Sequence, residues 1–259
     1  MNELSAVLTV ASRDVVKLLR DRVRLIFTVV GPFVFIALMG GTLQGNLGRA
    51  AGFNFVTFIF TGVLGMSLFL NASQGLISLV QDRENDFSQE MFVAPISRYS
   101  IVFGKVLGET FGALLQSLPM IGLALLLQVP LTFGQILLLL PVSLAAALVG
   151  GAFGVASMSL LNSQRTAQQI FPFVTLPQFF LAGIFNPIKI LPWYLSVLSL
   201  ASPMRYVVDL ERNVAYAGQP AYAKVVLLNP LTNLLVIAAM FAAFLAIGTW
   251  LFVRRETRR

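Results

Sequence analysis

Residues 110–164, TFGALLQSLPMIGLALLLQVPLTFGQILLLLPVSLAAALVGGAFGVASMSLLNSQ, form a run of 55 residues without one charge. As a single α-helix this run would be about 80 Å long, against roughly 30 Å of bilayer hydrocarbon. It must cross twice. The turn signals sit in Gln128-Val-Pro-Leu-Thr-Phe-Gly134, which predicts a short loop joining a third and a fourth span. The rest of the chain agrees with this reading: 57% of residues are hydrophobic and 11% charged, against about 25% charged in soluble domains. A mean hydropathy of +0.84 over 259 residues defines an all-α integral membrane protein, expected as one transmembrane domain over 1–259.

Upstream, the third span starts near Ile101 and carries Gly104, Gly108 and Gly112, two overlapping GxxxG patterns that let another helix approach closely. Lys105 and Glu109 are one turn apart and are expected to pair at the membrane entrance. Before them lies a polar segment, residues 81–100 (QDRENDFSQEMFVAPISRYS), in which Asp82, Glu84, Asp86 and Glu90 fall within nine residues. So apolar a chain keeps such a segment only where it meets water, so it reads as a surface built to touch a partner. The second span lies within Ala50–Gln81, with Ser67, Asn71, Gln74 and Ser78 along one side. Such a stripe serves either as helix-to-helix glue or as the wall of a substrate path.

The first span covers about Leu25–Leu43, with Gly31-Pro32 expected to bend it. Residues 1–24 read as an amphipathic interfacial helix, serving as a juxtamembrane anchor or a partner contact. Its charged stretch is too long for a cleaved signal peptide. Downstream, the fourth span carries Gly150, Gly151 and Gly154, and the fifth occupies about Ala167–Phe185. Residues 186–230 contain Pro187, Pro192, Pro203 and Pro220 with Trp193, Tyr194 and Tyr206. Leu191–Met204 is too short to span and too apolar for a free loop, so short re-entrant or surface-lying helices are expected on the outer side. A closing span, about Leu231–Val253, ends in RRETRR. With six spans, 13 of the 18 Lys and Arg residues fall on the side of the termini and the acidic segment, which the positive-inside rule places in the cytoplasm of the cell membrane.

Three motifs in order carry a resemblance: Asp82-Arg83-Glu84; Glu90-Met91-Phe92-Val-Ala-Pro95-Ile-Ser97-Arg98; and Gly104-Lys105-Val-Leu-Gly108. With Gly183-Ile-Phe-Asn-Pro187, Leu191-Pro192-Trp193, Ser202-Pro203, Tyr206, Asp209 and Arg212, the chain resembles the permeases of type-2 ABC exporters, in particular the daunorubicin-resistance group. It departs from that pattern at Asp86 and Gln89, which makes the segment more acidic. The resemblance implies that Asp82, Arg83, Glu84, Asp86, Glu90, Met91, Phe92, Pro95 and Arg98 belong to a coupling element seated on a separate ATPase. It also implies two ATPase copies that use ATP and Mg, and a second permease copy in a homodimer or heterodimer.

Composition closes off other chemistries. The absence of Cys and His excludes disulfides, thiolate or imidazole metal sites and a His-based triad. The chain carries no P-loop: Gly104-Lys105 is followed by Val106 and preceded at the critical position by Tyr99. No catalytic or metal residues and no cofactor of its own are expected, and the +7 charge lies beside span ends, suiting membrane lipids rather than nucleic acid. Asn71, Gln74, Gln116 and Gln178 are the candidates for a substrate path open to an amphipathic drug, lipid or lipid-linked molecule. An ion-gradient transporter is the rival class, and would keep ionisable groups at the bilayer centre. A non-transporting assembly factor would need neither the stripe nor the acidic segment.

Overall fold

A computed structural model describes residues 3–84, 97–161 and 163–257, and every regular element among them is helical. Asp86, Glu90, Met91, Phe92 and Pro95 lie outside the described residues. Asp82, Arg83 and Glu84 close the helix Ile77–Glu84, and Arg98 opens the next one. In chain order the helices are α1 (Glu3–Arg20), α2 (Arg22–Phe35), α3 (Gly41–Ala51), α4 (Phe55–Gly75), α5 (Ile77–Glu84) and α6 (Arg98–Leu126). They continue as α7 (Phe133–Met158), α8 (Gln164–Leu181), α9 (Trp193–Ser199), α10 (Pro203–Ala215), α11 (Tyr222–Val225) and α12 (Pro230–Thr257).

Among the described residues, five stretches are long and apolar enough to cross a membrane: Arg22–Gly48, Phe55–Gln81, Tyr99–Leu126, Phe133–Met158 and Tyr222–Arg254. The predicted turn between the third and fourth spans is present. Gln128 takes a left-handed φ of 54°, and Thr132 and Gln135 form a reciprocal cap at the start of α7. The fifth span expected from sequence, about Ala167–Phe185, falls on α8, which is not among these five; it is 18 residues long, or about 27 Å, and carries two prolines and four glutamines.

The first span does not end at its proline. Pro32 stays inside α2, and the helix runs on through a π-helical turn at Ile36–Gly40 into α3. At the other end of α2, Asp21 accepts a hydrogen bond from the Arg24 amide at 2.9 Å. That cap stops the amphipathic helix at Arg20, just past Leu19 and four residues short of the expected bound at residue 24.

Packing at the centre is backbone against backbone. On α7, a Cβ at Gly150 would fall 2.5 Å from the Phe69 carbonyl oxygen, and one at Gly154 would fall 2.6 Å from that of Ser73. Ser73 Oγ donates to the Gly150 carbonyl at 2.6 Å, so α4 and α7 touch along both. The GxxxG ridge of α6 receives α1. Hypothetical Cβ atoms at Gly104 and Gly108 would lie 2.9 Å from the Val7 carbonyl and 3.1 Å from Ala11 Cα. α1 thus buries Ala6, Val7, Val10, Ala11 and Leu18 against its own bundle, while Leu4, Leu8 and Leu19 stay exposed on another side for the membrane surface.

Gly108→Leu should force α1 off α6, at a cost of about 1–3 kcal/mol for overpacking. The expected readout is faster amide exchange across 3–20 with a lower melting temperature. Gly122→Ala, into open space, should leave both unchanged.

Candidate functional site

The two ends of the bundle differ in chemistry. At the end from which residues 81–100 leave, called the acidic end below, a cavity of about 390 Å³ opens between α1, α2, the α4–α5 joint, α6 and α8. Its charged lining is Asp14, Lys17, Arg24 and Glu109, and its amides include Gln74, Gln81 and Gln168. Asp14 is buried and Glu109 partly so, and each has a cation close by. Asp14 lies 3.0 Å from Arg13 and 3.8 Å from Lys105, and Glu109 lies 3.9 Å from Arg24. The expected Lys105–Glu109 neighbourhood therefore extends into a wider cluster, in which Lys105 also donates to Ser78 at 2.8 Å. The Glu109 carboxylate fills the notch of Gly75, where any Cβ would collide with it. There the second span breaks, at Leu76, between α4 and α5.

The structure distributes the sequence's path candidates between two settings. Asn71 donates to Gln116 at 2.8 Å and ties α4 to α6, and Gln116 is buried. Gln178 is buried and accepts from Ser202 at 3.4 Å. Gln74 alone of the four lines the cavity. Lys17 and Arg24, which sequence reading counts only as topology charges, line it as well. Their convergence depends on α1 docking to α6, which no local pattern encodes.

At the opposite end, the chain after α8 re-enters the bundle. Gly183, at φ +69°, reverses the backbone after α8. Pro187 precedes a 3₁₀ turn at Ile188–Ile190, Pro192 caps α9, and Pro203 is the first residue of α10. Short re-entrant or surface-lying helices were expected within residues 186–230, and α9 is a short helix with only Ser199 buried. The helix that enters the core is the following one, α10, which packs on α4, α7 and α12 with every residue but Val214 buried.

α10 brings charge into the packed bundle. It carries Arg205, Asp209, Glu211 and Arg212 inside the protein. Gly65 and Ser143, which flank Glu211, each lie ten residues inside their helices, about 15 Å from the ends. Most of these groups bring their own partners. Asp209 accepts from the amides of Leu227 and Leu228 at 2.8 and 2.9 Å and from Asn233 at 2.7 Å. Arg212 donates to the Gly183 carbonyl at 2.7 Å and stacks 3.7 Å over the Phe58 ring. Glu211 differs: it is fully buried, and neither carboxylate oxygen has a hydrogen bond among the described residues. The signal was present in sequence, since Arg205, Asp209 and Arg212 share one helical face. Charges beside prolines read as exposed.

A bundle of this kind, with an amphipathic first helix, a split second span and a re-entrant helix before the last, defines a membrane permease. The family model for the ABC-2 type transporter matches residues 5–216, and the chain belongs to that family. A putative transport permease, ycf38, of Cyanophora paradoxa is 23% identical over 198 residues, covering 75% of this chain and 68% of the relative. The inner membrane transport permease YadH of Escherichia coli K12 is 23% identical over 187 residues, covering 70% and 73%.

Asp209→Ala would leave two partly buried amides and the buried Asn233 without their acceptor, at a cost on the order of 3 kcal/mol. The expected outcome is a lower melting temperature with new proteolytic cleavage between residues 216 and 230. Asn71→Leu should lower stability by about 1 kcal/mol, less when Gln116→Leu is already present, as a double-mutant cycle would read.

Proposed function

We propose that this chain is the membrane-spanning subunit of an ATP-driven exporter, and that residues 81–98 couple it to a separate ATPase. The observation that carries the reading is the meeting of α1 with the borders of the acidic segment. Glu3, in the first turn of α1, accepts hydrogen bonds from the Ser97 amide at 3.3 Å and from Ser100 Oγ. The segment leaves from α5 and returns into α6, so α1 and the segment's return share one face. A soluble subunit docking there by charge and by burial of Met91, Phe92 and Val93 would grip both. ATP and Mg are used by that subunit, present in two copies, and its closure would drive the spans between inward-open and outward-open states. On this reading both termini are cytoplasmic.

A second permease copy follows from α8. Its apolar side chains Phe173, Leu176 and Phe180 are exposed, and so is Gln169, which lies outside the cavity lining. Amides facing hydrocarbon without partners are costly. A neighbouring copy, with a polar path between the two, removes that cost and supplies a route for an amphipathic drug, lipid or lipid-linked substrate.

One observation favours ion-gradient transport instead: buried, unpaired Glu211 is a group that a proton could visit. Export that stops on adding a protonophore at constant ATP would favour that mechanism.

The primary test is charge reversal across Asp82, Glu84, Asp86 and Glu90 in protein purified with its candidate ATPases. Loss of the complex, with the membrane domain still monodisperse and its melting temperature unchanged, is the expected outcome. Survival of the complex would sink the coupling role.

A further inference from the structure

The cavity at the acidic end has an asymmetry that selects a ligand. Asp14 is buried and Glu109 mostly so, each beside a cation, whereas Lys17 and Arg24 at the rim are exposed, Arg24 being the cation nearest Glu109. Lys17 makes no hydrogen bond or ion pair among the described residues, and the Arg24–Glu109 separation of 3.9 Å leaves the guanidinium most of its donors. The side-chain amides of Gln74, Gln81 and Gln168 also make no hydrogen bonds among the described residues. The site thus offers incoming molecules positive charge and unused N–H donors. α8 begins at Gln164 on the same wall, which adds the positive end of an 18-residue helix.

The volume limits what can enter. About 390 Å³ falls within the roughly 300–1,000 Å³ of small-molecule sites. That is room for a headgroup but not for a whole two-tailed amphiphile. Deeper in the membrane, α2 exposes Phe27, Val30 and Val34, and α8 exposes Phe173 and Leu176. A tail could lie along these while its head stays in the cavity.

We propose that this cavity is the loading site for an amphiphile with a phosphate-bearing, anionic headgroup. Lys17 and Arg24 take the charge, and Gln74, Gln81 and Gln168 donate to its oxygens. The site also straddles the α4–α5 joint: Gln74 and Gly75 lie on one side of Leu76, and Ile77, Ser78 and Gln81 on the other. A bound head therefore touches the helix that leads directly into residues 81–100, so occupancy reaches the coupling segment through α5. The inference rests on the permease reading above and deepens it.

The test is binding to the purified full-length protein in neutral detergent, with no ATPase present. The probes are dihexanoyl phosphatidic acid, dihexanoyl phosphatidylcholine and inorganic phosphate. The anionic lipid is expected to bind about tenfold or more tightly than either other probe, as one or two charge-assisted contacts would give. K17Q/R24Q should lose that advantage, whereas Arg20→Gln, exposed and outside the cavity, should keep it. Lys17→Gln alone breaks no ion pair among the described residues, so it carries the test if the double variant does not fold, with a loss of severalfold expected. Equal binding of the two lipids, or unchanged affinity in Lys17→Gln, would overturn the headgroup assignment. Inorganic phosphate binding as tightly as the lipid would overturn the amphiphile and leave a free-anion site. A negative binding result leaves the ATPase-complex experiment untouched, and loss of the ATPase complex leaves the binding result standing, so the two failures are separable.

Discussion

Arg212 sets the terms for the half of this protein opposite the acidic segment. A guanidinium cannot be left unpaired at membrane depth, and this one is resolved inside the chain by the Phe58 ring and the Gly183 carbonyl. Those two contacts tie α10 to α4 and to the end of α8. Asp209, one turn earlier, ties the same helix to the start of α12. A helix too polar for lipid is thereby made the wedge between three spans. Gly65 and Ser143 leave room for it on the walls it enters.

The acidic end uses charge differently. There the acids sink inward beside cations, and the remaining cations stay at a rim open to solvent and headgroups. The controlling contact is steric: α1 lies on α6 only because Gly104 and Gly108 have no side chains. Once it lies there, Asp14 and Lys17 are delivered to a cavity whose other wall is the break in the second span. Packing of a peripheral helix thus completes a polar site at the point where that span turns into the acidic segment. Rigid, backbone-close contact between α4 and α7 gives the break a fixed frame to move against.

How legible all this was from the sequence depends on the range of the interaction. Span positions, the 128–134 turn and the GxxxG ridge are local, written in hydropathy and in residue size, and the structure has them. The identity of the helix that fills the ridge is not local. The end of α1 at Arg20 is local, since its apolar spacing stops at Leu19 and Asp21 caps the helix that follows. The stripe on α4 was legible as polar but not as divided, since whether an amide meets Gln116 or a cavity depends on which helix stands opposite.

By itself, the amino-acid sequence determined that this is a helical membrane protein, where its most apolar spans lie, and which end carries the acidic segment. Those follow from free energies of transfer that act residue by residue along a chain. Only the tertiary structure decided that charged α10 lies inside and that Lys17 and Arg24 share a cavity with Gln74. Burial of a charge is favourable only when partners far apart in sequence converge on it, and that convergence belongs to the packed bundle rather than to any stretch of the chain.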